Sequence, residues 1–473
     1  VSLAPPGRIP GDLRAQKKWR WIGICAALIG VGLLVSGGGV LLARLANRMT
    51  EYAPVARTLP AELAAAKREV LPLTPADLRP VPPVAPAQNA ASLYRKADVL
   101  YKRTLKAKRD DDGAAIVAFL RSAERHTTSE AERMRVRAVL ARSAPLLRLA
   151  EQAAARPHCD FNRPWEQGAR MLLPEYATVR HLARLLAVRA LLQNEAGQPE
   201  AALQSIAAGA RIGRHMGEEP IAIAALVRVA VHTILDRPFR DVLRRYPNRP
   251  DVLRMARETQ RAFGPPLDLR SSLRGEVVLV RSMMDEVRAD PNDFYDIGPV
   301  AQHLPGLAVD PRLRRTIPDA WEARMLNYWR RAFQEMNAAN GDLLETYHAL
   351  KTLGDEQDKK AAQPTYEMSA FLMPAFSGAA LKALQSEAER RLRDTAIALL
   401  ARRQRTGAFP ATLAELPAPP LADPFTGHTP LRYRRTGRGF LLYSIGPNFR
   451  DDNGDSARKK KGEQPPDLVF AYP

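Results

Sequence analysis

With 473 residues the chain is long enough for two or three domains and a sizeable core, and 46% hydrophobic with 26% charged residues is too apolar for a wholly disordered protein. Only 6% aromatics, with 39 prolines against 28 glycines, argue against an all-β protein and for helices separated by proline-rich breaks, while two cysteines exclude a disulfide scaffold and a cysteine-based zinc cluster. The net charge of +20 would suit a nucleic-acid binder if it were gathered on one surface, but arginine is scattered among acidic residues, as at Arg133, Arg142, Arg180 and Arg189, which reads as solvated helix faces with no nucleic-acid partner.

In chain order, residues 1–20 read as a cytoplasmic tail and 21–43 as a transmembrane helix. The uncharged run from Trp21 to Ala43 is about 35 Å long as a helix, enough to cross a hydrocarbon core of about 30 Å. Arg8, Arg14, Lys17, Lys18 and Arg20 precede it and only Arg44 and Arg48 follow closely, so the positive-inside rule keeps the N-terminus in the cytoplasm. The expectation is a single-pass protein of a bacterial inner membrane with the bulk of the chain extracytoplasmic; a cleaved signal peptide is the rival reading. Residues 44–88 read as a proline-rich stalk, with helix surviving only around Ala61 to Val70.

Residues 89–365 read as an all-α helical domain. A helix is expected from Asn89 to about Lys108, and Thr127-x-x-Glu130 and Ser129-x-x-Glu132 are overlapping capping-box signatures. Leu172, Tyr176, Val179, Leu182, Leu185, Leu186 and Leu192 recur at three- and four-residue intervals, and Pro199 opens a second helix with Leu203, Ile206, Ala210 and Ile212 inward. The stretch from Glu175 to Met216 resembles one tetratricopeptide-type hairpin, with no second copy at that family's period. Trp321, Met325, Tyr328, Trp329 and Phe333 share a helix face and read as core. His158, Cys159 and Asp160 form the one cluster that invites a metal or nucleophile reading, but with no partner identifiable in sequence they read as structural. Metal-ligand histidine spacings and nucleophile motifs are missing, so the body reads as non-enzymatic, with no small-molecule substrate.

Residues 366–473 read as a small α+β module. A helix is expected from about Ala379 to Arg405, ended by Gly407, and Thr412-x-x-Glu415 caps a short second one. LRYRR, the turn Thr436-Gly437-Arg438-Gly439 and FLLYS alternate as a hairpin, with DLVFAY as a third strand. The order TGAFPATLAEL (Thr406 to Leu416), DPFTG (Asp423 to Gly427), LRYRR, LLYSIGPN and an acidic loop before a final Asp resembles the C-terminal globular domain of type II secretion major pseudopilins. That resemblance implies a calcium site, carried here by Asn448, Asp451, Asp452, Asn453 and Asp455 with Asp467 returning at the last strand. Closely spaced Asp and Asn suit the six to eight oxygens that calcium takes; the rival reading is a solvated acidic turn neutralised by Arg450 and the run Arg458 to Lys461. The membrane segment lacks the family's internal Glu and lies more than 300 residues from the module, so the chain is not expected to polymerise as a pilus subunit.

The function expected from these readings is a membrane-anchored, non-catalytic scaffold or interaction protein whose partners are other envelope proteins. The alternatives are an accessory of a type II secretion or pilus-like system, and an envelope hydrolase whose site is assembled from residues distant in sequence.

Overall fold

The computed structural model describes residues 50–107, 111–125, 127–289, 311–366, 374–457 and 466–472. The expected tail and membrane segment, 1–20 and 21–43, and the basic run 458–461 lie outside them; among the described residues no helix is long and apolar enough to cross a membrane. The fold is mainly helical, with one small antiparallel sheet near the C-terminus.

The proline-rich N-terminal stretch is packed, not free-standing. Its helix α1 (Leu59–Arg68) starts with Pro60 in the first turn, where a missing N–H costs nothing, and buries Leu59, Ala65 and Ala66. Tyr52 and Leu71, on either side, are buried as well. The strap from Pro80 to Pro83 keeps the exposed character expected of the whole stalk. The expectation failed because proline stops a helix without preventing its apolar face from finding a partner.

The helical body follows as α2 (Ala91–Ala107), α3 (Asp111–Glu124), α4 (Glu130–Arg142) and α5 (Ala144–Ala154). Of the two overlapping boxes before α4, only the second forms: Ser129 Oγ accepts from the Glu132 N–H and the Glu132 carboxylate accepts from the Ser129 N–H. At the centre lie α6 (Glu175–Glu195), α7 (Pro199–Met216) and α8 (Ala222–Arg245). Helix α6 is buried on nearly all sides, through Tyr176, Val179, Leu182, Leu185 and Leu186, as expected of a helix at the middle of a core. Leu172, expected in that stripe, precedes the helix and is 79% exposed. Helix α7 begins at Pro199 and buries Leu203, Ile206, Ala210 and Ile212.

The body continues through α9 (Pro250–Ala262), α10 (Arg274–Ala289), α11 (Pro311–Ala338) and α12 (Leu343–Lys360). Met325, Tyr328, Trp329 and Phe333 of α11 form a second core with Leu59 and Ala66 of α1, and Trp321 is fully buried beside them. Arg330 of α11 clamps Glu62 at 2.7 Å and Glu69 at 2.5 Å, fixing α1 to the body.

The last helix, α13 (Pro374–Thr406), is about 50 Å long at its rise of 1.5 Å per residue. Gly407 follows it at φ +79°, the left-handed conformation that closes a helix at little cost for glycine. The sheet takes the order β1 (Arg432–Thr436), β2 (Gly439–Ser444), β3 (Leu468–Tyr472), antiparallel throughout, with Thr436 opposite Gly439 and Phe440 opposite Tyr472. The Thr412 box forms too, but it caps only a single 3-10 turn, Leu413–Glu415. Leu392, Ile397, Leu400, Phe440 and Phe470 belong to the same apolar core as Leu203, Phe239 and Phe263 of the body. Arg240 and Arg244 of α8 donate to the carbonyls of Val469 and Ala471, so guanidinium groups cover one edge of β3.

A cleft beside the loop 158–165

A half-open cleft of about 800 Å³ lies beside the loop from His158 to Trp165. Its walls are the strap from Leu78 to Val84, the loop from His158 to Trp165, the turn from Gly217 to Pro220 between α7 and α8, and the start of α10 at Arg274. Local sequence explains why each wall stays where it is. Asn89 pins the loop from both sides, its Nδ2 donating to the Asp160 carbonyl at 2.8 Å and its Oδ1 accepting from the Asp160 N–H at 3.0 Å. At the floor, the Gly275 N–H donates to the Pro220 carbonyl at 2.5 Å, and a Cβ on residue 275 would lie 2.4 Å from that oxygen and 3.0 Å from the Trp165 ring. Only glycine permits this approach.

Under the loop sits a saturated ion cluster. Arg163 grips Glu219 with two parallel bonds of 3.0 Å and Glu175 with a third of 2.9 Å, while the Tyr176 hydroxyl donates to Glu219 at 2.8 Å. The guanidinium also lies over the Phe161 ring, 4.1 Å from its centroid. Burial works against the charge on Arg163, but Glu219 and Glu175 outweigh it and hold the group firmly ionised. Burial, reinforced by Glu219, drives the Tyr176 hydroxyl far above its ordinary range, so it acts as a fixed donor.

The cluster His158-Cys159-Asp160 gains in space the partner that it lacks in sequence. Glu218 accepts the Cys159 N–H at 2.9 Å, and His158 Nδ1 lies 3.7 Å from the same carboxylate oxygen. Burial pushes the Glu218 carboxyl up, opposed by that hydrogen bond and by His158. Burial, then Glu219 and Glu218, pushes the Cys159 thiol well up, which keeps it protonated and unsuited to nucleophilic attack. Behind the loop, Tyr94 Oη and His215 Nδ1 are 2.8 Å apart, and His215 Nε2 is 2.9 Å from the Arg156 carbonyl. Since a carbonyl only accepts, Nε2 carries the proton and Tyr94 donates to Nδ1. Burial lowers the His215 pKa to about 4, so the ring is neutral and structural.

The residues singled out for calcium lie elsewhere, beside the β2 end of the sheet. Asp467 accepts from the Asp452 and Gly454 N–H groups at 3.2 and 2.6 Å. Asp451 accepts from Arg432 and Tyr443, both at 3.2 Å, and from the Asn453 N–H at 3.0 Å. Asn448 donates to Asp452 at 2.7 Å, and Asp455 turns away to the Ala457 N–H at 2.8 Å. The structure thus brings Asp451, Asp452 and Asp467 near one another, and burial followed by those two neighbours raises the Asp467 carboxyl. The oxygen type suits calcium, but protein donors already engage these carboxylates, and among the described residues no group of three or more His, Cys, Asp or Glu is placed to hold a metal. As arranged, the loop does not form a coordination cage.

Sequence reasoning missed Arg163, Glu175, Tyr176, Glu218 and Glu219. One signal was present: Gly217-Glu218-Glu219-Pro220 sets two adjacent acids in a short turn between apolar helices, a place where unpaired carboxylates are costly. No family model, curated protein or solved structure matches the chain.

Proposed function

We propose that the chain is a non-catalytic interaction protein of a bacterial envelope, anchored through 21–43 with its N-terminus cytoplasmic, and that its helical body receives a segment of a partner protein in the cleft beside the loop 158–165. The carrying observation is the chemistry of that cleft: a proline strap for one wall, a floor made rigid by the saturated Arg163 cluster, and a thiol held protonated. Such a site is preorganised for recognition. The protonated thiol also weighs against a cysteine hydrolase. The secretion-accessory reading draws on a different feature, the long helix α13 packed on a three-stranded sheet, which agrees with the pseudopilin resemblance in outline.

A photo-crosslinking side chain at Val81, which is 92% exposed on the strap, should yield a discrete adduct in native membranes, whereas the same side chain at Met134, 60% exposed and away from the cleft, should not. Absence of an adduct at 81, or the same adduct from both positions, sinks the reading. The topology is tested by reporters active on opposite sides of the membrane fused after Pro86; a cytoplasmic signal there overturns it.

Calcium stays a proposal on one observation, the closeness of Asp451 and Asp452 to Asp467, whose carboxyl is raised first by burial and then by their repulsion. A cation that rearranged the loop would relieve it. Millimolar calcium should then raise the Tm of the full chain but not that of an Asp451→Asn, Asp455→Asn double variant; an unchanged wild-type Tm removes the metal from the proposal.

A further inference from the structure

The charges that face the cleft are unequally provided for. Arg163 and Glu219 are spent on each other, Arg79 lies 3.6 Å from Glu166, and Arg274 donates to the Asp77 carbonyl at 2.7 Å. Glu218 differs. One carboxylate oxygen, Oε2, takes the Cys159 N–H, the nearest basic group is His158 at 3.7 Å, and about a third of the side chain, 32%, is open to the cleft. Oε1 has no hydrogen-bond partner among the described residues, nor is it a sealed orphan atom. A half-buried carboxylate in a concavity, with one oxygen held by the main chain and the other free, is set to receive a cation from outside. Arg214 acts on Glu218 electrostatically without bonding to it, and exposed charges beyond about 10 Å are largely screened at ordinary ionic strength.

The surroundings narrow the class of cation. Leu78, half-buried, and the exposed rings of Pro80, Pro82 and Pro83 line the cleft, which suits a long aliphatic stem, and those prolines have no N–H to pair with an incoming strand. Attachment through a side chain is therefore favoured over sheet extension. We infer that the partner segment received by the cleft is an extended peptide that seats a lysine ammonium on Glu218. This rests on the reading of the cleft as a partner site and names what that site selects.

The test uses the Cys159 amide, which donates to Glu218 and so reports directly on that carboxylate. The sequence holds only Cys25 and Cys159, so full-length protein labelled with ¹⁵N-cysteine gives two backbone signals. Acetyl-Ala-Lys-Ala-amide should shift the Cys159 signal with a dissociation constant at least about tenfold below that of the norleucine analogue. Glu218→Gln, which retains an oxygen for the Cys159 N–H, should abolish that preference. Equal shifts from the lysine and norleucine peptides, or no shift at about 10 mM lysine peptide, would overturn the inference. n-Butylammonium alone binding as well as the peptide would also overturn it, in favour of a free amine ligand. If crosslinking at position 81 succeeds while Cys159 ignores lysine, the ligand class is wrong and the partner site stands; if crosslinking fails, the partner site itself falls.

Discussion

Arg163 and Arg393 are each less than a tenth exposed, each lies over a phenylalanine ring and each joins segments far apart in sequence, yet their charges are balanced differently. Around Arg163, Glu219 and Glu175 supply two carboxylates, and Glu219 has both oxygens engaged. Around Arg393, Asp236 accepts at 2.7 Å and the neutral Gln260 at 2.9 Å, while the second acid nearby, Glu389, is half-buried with its Oε2 sealed and unpartnered. Burial, then Asp236, raises the Glu389 carboxyl to about 7. The first centre is geometrically closed: burial raises the Glu219 carboxyl, and Arg163 and the Tyr176 hydroxyl oppose that rise. The second sits where α13 docks on α8 and carries a group whose charge is undecided near neutrality.

Removing the closed centre's cation gives the largest expected effect. Arg163→Met leaves Glu175 and Glu219 buried without their main counterion and should cost about 3–5 kcal/mol in urea denaturation. Adding Glu219→Gln should recover part of the loss. A single-variant cost below about 1 kcal/mol would mean that the ion cluster is not what makes the cleft floor rigid.

The open centre predicts a pH effect of defined sign. Because the folded pKa of Glu389 is raised to about 7, above its ordinary value of 4.5, its contribution is fully present below about 4.5 and is lost as pH rises through 7. Glu389→Gln removes that loss, so the variant should exceed wild type by about 1–3 kcal/mol at pH 8 and converge on it near pH 4. Parallel stability curves from pH 4 to 8 would show that this carboxyl does not titrate in the fold.

The smallest effect serves as the control. Tyr176→Phe deletes one donor from Glu219 at the closed centre and should cost about 1 kcal/mol at pH 8. No cost at pH 8 would show that Arg163 alone holds Glu219 in place.

What could be read in the sequence was local. Pro199 at the start of α7, the Ser129 box and the Gly407 stop each act within one turn, and the hairpin declares itself through alternation and the Gly437-containing turn. What escaped depends on contacts over long separations. The stretch before residue 80 reads as a stalk because Arg330, which clamps Glu62 and Glu69, is more than 260 residues away. His158-Cys159-Asp160 reads as isolated because Glu218 is 59 residues from Cys159. The acidic loop 448–455 was legible as a turn, but not the donors from Arg432, Tyr443 and the main chain that occupy its carboxylates.

The arginines laid across β3 bear on stoichiometry. A small sheet with two bare edges is a seed, since each strand added exposes a fresh row of carbonyls and N–H groups for the next. Here Arg240 and Arg244 occupy the Val469 and Ala471 carbonyls, and they reach out from α8, a helix locked in the main core. Strand addition is thereby confined to the β1 side. Any assembly built by edge pairing on this sheet runs in one direction, and a second copy paired through its own β1 ends it as a dimer.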